Sequence, residues 1–169
     1  VLIIIGFGLS KGAGDAGGGQ ERGRRAGTEN LLGIISFGLR CETLVSREFL
    51  MWTSESAELR KSFIANLKAA IPECVIHAEK SENQLANTVN FHIEIDSKIM
   101  SGDSLLMNLD LAGFDVSSGS ACASGVGRKS HVLIAMGWSG DVALNSVRVS
   151  FGWNATSEDL AAFVGALAE

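Results

Sequence analysis

SVRVSFGWNATSEDLAAFVGALA, residues 146–168, holds two periodicities in one short stretch. In SVRVSFG, residues 146–152, apolar and polar residues alternate, which reads as a strand with one face buried. Val147 and Val149 share one face of that strand, and Arg148 points to the other. In TSEDLAAFVGALA, residues 156–168, the apolar residues switch to helical spacing. Thr156 stands as N-cap and acidic residues fill the first turn, where they meet the positive end of the helix. A strand feeding directly into a capped helix implies a sheet covered by helices.

Upstream, Ser130 to Met136 reads as a brief helix and Phe114 to Val116 as a short strand. Leu105, Leu106, Leu109 and Leu111 mark a helix beginning near Ser101 or Asp103. VIHA (75–78) and TVNFHIEI (88–95) are rich in β-branched residues, and the second alternates. Leu59, Phe63, Leu67 and Ala70 form one apolar helix face that Pro72 ends. Leu31, Leu32, Ile35, Leu39, Leu44 and Val45 form another, from Thr28 onward, with a break expected near Trp52 and Thr53. Residues 11–27, KGAGDAGGGQERGRRAG, are too glycine-rich for a regular element. The opening VLIIIGFGL reads as a buried strand, being shorter than the ~20 residues a membrane span needs. A chain starting at valine inside an apolar run implies missing upstream sequence.

The 169 residues are 46% hydrophobic and 20% charged, which supports a packed core. A net charge of −5 excludes a nucleic-acid surface spread over the whole molecule. No membrane association is expected either. Three cysteines (Cys41, Cys74, Cys122) without CxxC spacing point to a reducing, cytoplasmic setting, with neither a disulfide framework nor a metal site.

Cys122 lies in SSGSACASG, residues 117–125, among small residues that leave its sulfur unshielded. Cys122 to Arg128 is also C-x5-R, the spacing of a cysteine-dependent phosphatase loop whose amides and arginine hold a phosphate. No histidine or apolar strand precedes this cysteine, as that chemistry requires. GGGQERGRRAGTEN, residues 17–30, sets arginines before a helix start, with Thr28 as a plausible cap and an anion as a plausible guest. Arg148, if its strand faced a cleft, would suit a carboxylate.

These motifs occur in a fixed order with LANTVNFHIE (85–94), DLAGFDVSSGSAC (110–122), SHVLIAMG (130–137) and VRVSFGWNATSEDL (147–160). The ordered set resembles the C-terminal part of a cysteine desulfurase, a pyridoxal-phosphate enzyme of the class V aminotransferase group with the type I fold. The resemblance runs from about Gly17 to the end. It implies an α/β fold: the small C-terminal domain of a pyridoxal-phosphate-dependent transferase, with a small, mostly antiparallel sheet flanked by helices and long bridging helices. Residues 1–27 would be a remnant of the large cofactor domain with a Gly/Arg-rich loop. Residues 28–169 would be the bridging helices and the small domain.

The resemblance also implies roles. Cys122 would take sulfur from L-cysteine as a persulfide, leaving L-alanine, and pass it to a sulfur-acceptor protein for iron–sulfur cluster assembly or tRNA thiolation. Arg148 would bind the substrate carboxylate. Thr28 would reach the phosphate of the pyridoxal phosphate in the partner subunit of a homodimer. The family's cofactor lysine follows a histidine, and no His-Lys pair exists here; Lys11 follows Ser10. The chain alone is therefore expected to lack desulfurase activity. The alternatives are a non-catalytic dimerisation or acceptor-binding domain, or the phosphatase.

Overall fold

The computed structural model describes residues 17–20, 22, 25–81, 83–118 and 129–169. The opening apolar run and the loop holding Cys122 and Arg128 lie outside the described residues. The chain divides into two compact units, residues 1–46 and 47–169.

In the first unit, β1 (Gly19–Gln20) pairs antiparallel with β2 (Arg25–Ala26). The glycine-rich stretch, expected to hold no regular element, thus contains a minimal ladder. Glycine makes it possible: Gly17 has φ +136°, and a Cβ there would meet the Gly27 nitrogen at 2.8 Å. Helix α1 spans Leu31–Leu44. Its N-cap is Asn30, not Thr28: the Asn30 side chain accepts from the Gly33 N–H at 3.1 Å. Asn30 sits beside the first helical residue, where its oxygen can reach N3, and Thr28 falls two residues too early. No residue of α1 is buried.

The second unit begins with α2 (Arg47–Ala70), which runs unbroken through Trp52 and Thr53. The interruption falls earlier, at Val45 and Ser46, where the last turn of α1 closes on Glu42 and Thr43. Thr53 does not break the helix because its hydroxyl donates back to the Phe49 carbonyl at 2.9 Å. Pro72 follows the helix end as expected.

A five-stranded antiparallel sheet follows. Its main order is β3 (Cys74–Ile76), β4 (Thr88–Ile95), β7 (Val147–Ser150), β6 (Ser117–Ser118), and β5 (Lys98–Ile99) also pairs with β4. The β4–β5 turn places Asp96 and Ser97 at φ 50° and 62°, the left-handed pair that matches strand twist. The expected strand at Phe114–Val116 forms instead directly after it, at Ser117–Ser118, because that is where the chain reaches β7. Helices α3 (Gly102–Leu111), α4 (His131–Ala135), α5 (Gly140–Asn145) and α6 (Ser157–Ala168) complete the unit. Ser101, Ser130, Ser139 and Thr156 cap them in turn, and Thr156 forms a full capping box with Asp159.

Alternation divides the sheet into two chemical faces. Val89, Phe91 and Ile93 of β4, Val147 and Val149 of β7, and Cys74 and Ile76 of β3 are buried. They form one core with Phe63, Ile64 and Leu67 of α2, Leu105 and Leu109 of α3, and Leu160, Phe163 and Val164 of α6. The Phe63 and Phe163 rings meet edge-on at 5.6 Å. Cys74 belongs to this core, and its desolvation pushes the thiol up to about 12, only partly offset by Lys68. It is a packing residue and not a nucleophile. Among the described residues no helix is long and apolar enough to cross a membrane.

Candidate functional site

The other sheet face is polar, and β7 fixes its centre. Val147 and Val149 anchor the strand in the core, which leaves Arg148 and Ser150 exposed on the opposite side. Arg148 lies directly opposite Asn90 on one neighbouring strand and Ser117 on the other. Its Nη2 donates to Ser117 Oγ at 3.5 Å, a contact at the limit of hydrogen bonding. Thr88 and Ser150 form the next cross-strand pair, with their hydroxyls 3.3 Å apart.

Helix α4 roofs part of this face and encloses a cavity of about 300 Å³. Thr88, Asn90 and Arg148 form its sheet side, and Val132, Leu133 and Met136 supply an apolar side. Arg60, His77 and Gln84 close the end. Arg60 reaches it from α2 and is held by two bonds: Nε donates to the Thr88 carbonyl at 2.9 Å, and Nη2 donates to Gln84 Oε1. Gln84 in turn donates to the carbonyls of Ala78 and of Ser81, the latter at 2.7 Å. Partial burial pulls the Arg60 guanidinium below its ordinary value, against the attraction of Glu79. Two guanidinium groups thus border one cavity whose described wall contains no carboxylate. In an acidic chain this is a local positive site, with apolar and hydrogen-bonding sides suited to a small organic anion.

Behind Asn90 lies a buried polar line. His77 Nδ1 is 2.5 Å from Asn90 Oδ1, and His77 Nε2 is 2.7 Å from His92 Nδ1. Burial lowers both imidazoles below their ordinary value. For His77 the Asn90 bond opposes this and His92 adds to it; for His92, Glu94 opposes it. Trp138 covers the pair, with its ring 4.6 Å from His77 and 5.6 Å from His92.

Of the three residues singled out from sequence, Arg148 stands in this cavity. Thr28 is exposed and lies in the first unit, just ahead of the α1 cap. Cys122 lies outside the described residues. Asn90, His77, His92 and Arg60 were missed. The alternation of TVNFHIEI already places Asn90 and His92 on one face of a strand, but which residue faces them across the sheet depends on register.

Pyridoxal phosphate, the cofactor the resemblance implies, needs a lysine amine for its covalent attachment. No lysine lines the cavity among the described residues; Lys61 pairs with Glu58 and Lys68 with Glu79. The described lining of the cavity does not by itself fit the cofactor.

A small antiparallel sheet with helices packed on one face and a cationic cleft on the other defines a mixed α/β domain. The model of the aminotransferase class-V family matches residues 16–163. The chain belongs to that family. It is 39% identical over 144 residues to the cysteine desulfurase IscS of Dictyoglomus turgidum, a match covering 85% of this chain and 35% of the relative. The cysteine desulfurase IscS of Clostridium botulinum is 40% identical over 146 residues, with the same coverage. Among solved structures, a NifS-like protein from Rickettsia africae superposes with a TM-score of 0.72 at 31% identity, covering 89% of this chain and 37% of that one. The chain thus spans about a third of the length of the curated relatives it matches.

Proposed function

We propose that this chain is the substrate-recognising and sulfur-carrying portion of a cysteine desulfurase. The observation that supports this most is Arg148, held by its strand at a cationic cavity with no carboxylate among its described lining residues, in a chain whose relatives are named cysteine desulfurases. A guanidinium there offers paired donors to the carboxylate of L-cysteine. Pyridoxal phosphate, if held by the rest of a complete enzyme, would supply the electron sink for the bound amino acid. The thiolate of Cys122 then attacks the substrate sulfur. The substrate's C–S bond breaks, a proton replaces sulfur on carbon to give L-alanine, and the new S–S bond leaves a persulfide on Cys122. Overall, thiol and cysteine become persulfide and alanine, with no outside oxidant. Sulfur then passes to an acceptor protein for iron–sulfur cluster assembly or tRNA thiolation.

Thr28 is proposed to reach the cofactor phosphate of a second subunit. Exposed Leu31, Leu32, Ile35 and Leu39 on α1 support self-association into a homodimer.

Mass spectrometry of an active assembly that contains this chain, isolated from cells without reductant, tests the proposal. The peptide bearing Cys122 is expected to carry about 32 Da, one extra sulfur, removable by dithiothreitol and absent in Cys122→Ser. An unmodified Cys122 peptide in cells with active sulfur transfer would refute it.

A further inference from the structure

The proposed function uses Arg148 and leaves Arg60 unexplained. Strand β3 ends at Ile76, opposite Phe91 of β4, and the next N–H, of His77, still donates to the Asn90 carbonyl at 2.8 Å. Past that point, among the described residues, no strand lies along the outer edge of β4. Arg60 fills the gap: its Nε donates to the Thr88 carbonyl at 2.9 Å and its Nη2 to Gln84. A strut for a sheet edge needs no charge, since a neutral amide donates to a carbonyl equally well. Arg60 brings a full positive charge to this edge, and partial burial opposes it.

That charge has no counter-ion among the described residues. Glu79, the acid whose field reaches Arg60, is bound by Lys68 at 2.7 Å. Arg148 is likewise without an ion-pair partner among the described residues, and its polar contact there is the 3.5 Å one to Ser117. Both arginines border the same cavity of about 300 Å³. Two like charges on one small cavity repel each other, and a single carboxylate answers one of them. Arg148 stands opposite Asn90, and Arg60 is tied two residues along the same strand, at Thr88. Thr88 is thus the diagonal neighbour of Arg148, ~7–8 Å away, which brings the two guanidinium groups within the span of one short molecule.

We propose that Arg60 is a second anion-binding residue of this cavity, and that the cavity takes a small dicarboxylate held at one end by Arg148 and at the other by Arg60. The inference rests on the reading of Arg148 as a carboxylate site and goes beyond it. L-Cysteine, with one carboxylate, occupies Arg148 alone; a dicarboxylate occupies both arginines and excludes it. The bonds to Thr88 and Gln84 engage Nε and Nη2 and so orient the guanidinium fork, which leaves Nη1 for the anion. Gln84 is itself held by the Ala78 and Ser81 carbonyls, so the fork has a fixed support. The apolar side of the cavity, Val132, Leu133 and Met136, suits the short carbon chain between the two carboxylates.

The test uses the full 169-residue chain, labelled with ¹⁵N, with succinate as the probe and butyrate, of equal carbon count and one carboxylate, as the control, both at one ionic strength. Succinate is expected to bind about tenfold tighter than butyrate, the scale of one added hydrogen bond between charged groups. Succinate should shift the Arg60 Nε–H resonance saturably, and butyrate should leave it in place. Arg60→Met should bring succinate down to the affinity of butyrate and leave butyrate within about twofold, the scale of losing a charge that butyrate does not touch. Arg148→Met should weaken both. Circular dichroism identifies a variant that fails to fold, and the wild-type comparison of the two anions tests the claim without a variant. Arg148-dependent binding in which succinate is no tighter than butyrate, or succinate binding indifferent to a folded Arg60→Met, would overturn this inference and leave the carboxylate site standing. No Arg148-dependent binding of either anion would overturn both.

Discussion

Lowering the pH should destabilise the second unit through His77 and His92, in a window set by these two residues. Both are neutral in the fold because burial pulls their values below the ordinary 6.5. In the unfolded chain they titrate near that value. The unfolded state therefore binds more protons at acid pH, and stability falls as pH falls. The contribution is intact above pH 6.5 and is lost as pH drops from there toward the folded values. At one unit below the unfolded value, a ring kept neutral in the fold costs about 1.4 kcal/mol relative to neutral pH, so the pair costs up to about 2.8 kcal/mol. Glu94 raises His92 and reduces its share. Urea unfolding followed by circular dichroism at pH 7.5, 6.5 and 5.5 measures this directly. The control is the double variant His77→Gln/His92→Gln, which keeps hydrogen-bonding capacity and removes the titration. The wild-type midpoint should fall between pH 7.5 and 5.5 and the variant midpoint should stay nearly level, since carboxylates titrate lower and the buried Cys74 thiol far higher. Equal slopes in the two proteins would refute the placement of the rings in a dry, neutral pair.

Three further substitutions probe backbone geometry. A Cβ at Gly102 would meet the backbone of Asn145 at 3.0 Å, whereas one at Gly165 in α6 meets nothing within 4 Å. Gly102→Ala should therefore cost about 1–3 kcal/mol of stability and Gly165→Ala should add about 0.5–1 kcal/mol, so urea midpoints moving in the same direction would contradict this packing. Ala78 sits at φ 55°, a left-handed conformation that costs a Cβ-bearing residue about 1–2 kcal/mol. Ala78→Gly should raise stability by about 0.5–1 kcal/mol after glycine's own entropy cost, and an unchanged or lower midpoint would count against the turn.

What was legible in the sequence follows physical range. The Thr156 cap, the helix after it, and the bounds of β4 are written in residues a few positions apart, and each was readable from the chain. Arg148 could be assigned to the polar face of its strand by alternation alone. The break between α1 and α2 was misplaced because Thr53 looks like a helix breaker until its hydroxyl is seen to bond the Phe49 carbonyl. The Asn30 cap was missed for Thr28 because both are good cap residues and only the start of the helix decides between them. His77 and His92 are fifteen positions apart, and their pairing exists only once β3 lies beside β4. No local pattern encodes that.

The same register ties recognition to folding. Asn90 stands opposite Arg148 only because Val89 stands opposite Val149 and Phe91 opposite Val147. A slip of one residue between β4 and β7 would drive Arg148 or Asn90 toward the core and expose a buried valine or phenylalanine. Val89, Phe91 and Val147 are 1%, 0% and 0% exposed, so such a slip would forfeit several fully buried side chains, each worth about 1.5–3 kcal/mol. The end of the ladder is pinned as well: Asn87 Nδ2 donates to the Phe151 carbonyl at 2.7 Å, and the Phe151 N–H donates to the Asn87 carbonyl at 3.0 Å. Arg148 therefore needs little polar support of its own on the exposed face. Its position is set from the far side of the sheet by the apolar core, and the ligand role proposed for its guanidinium needs no further anchor on the exposed face.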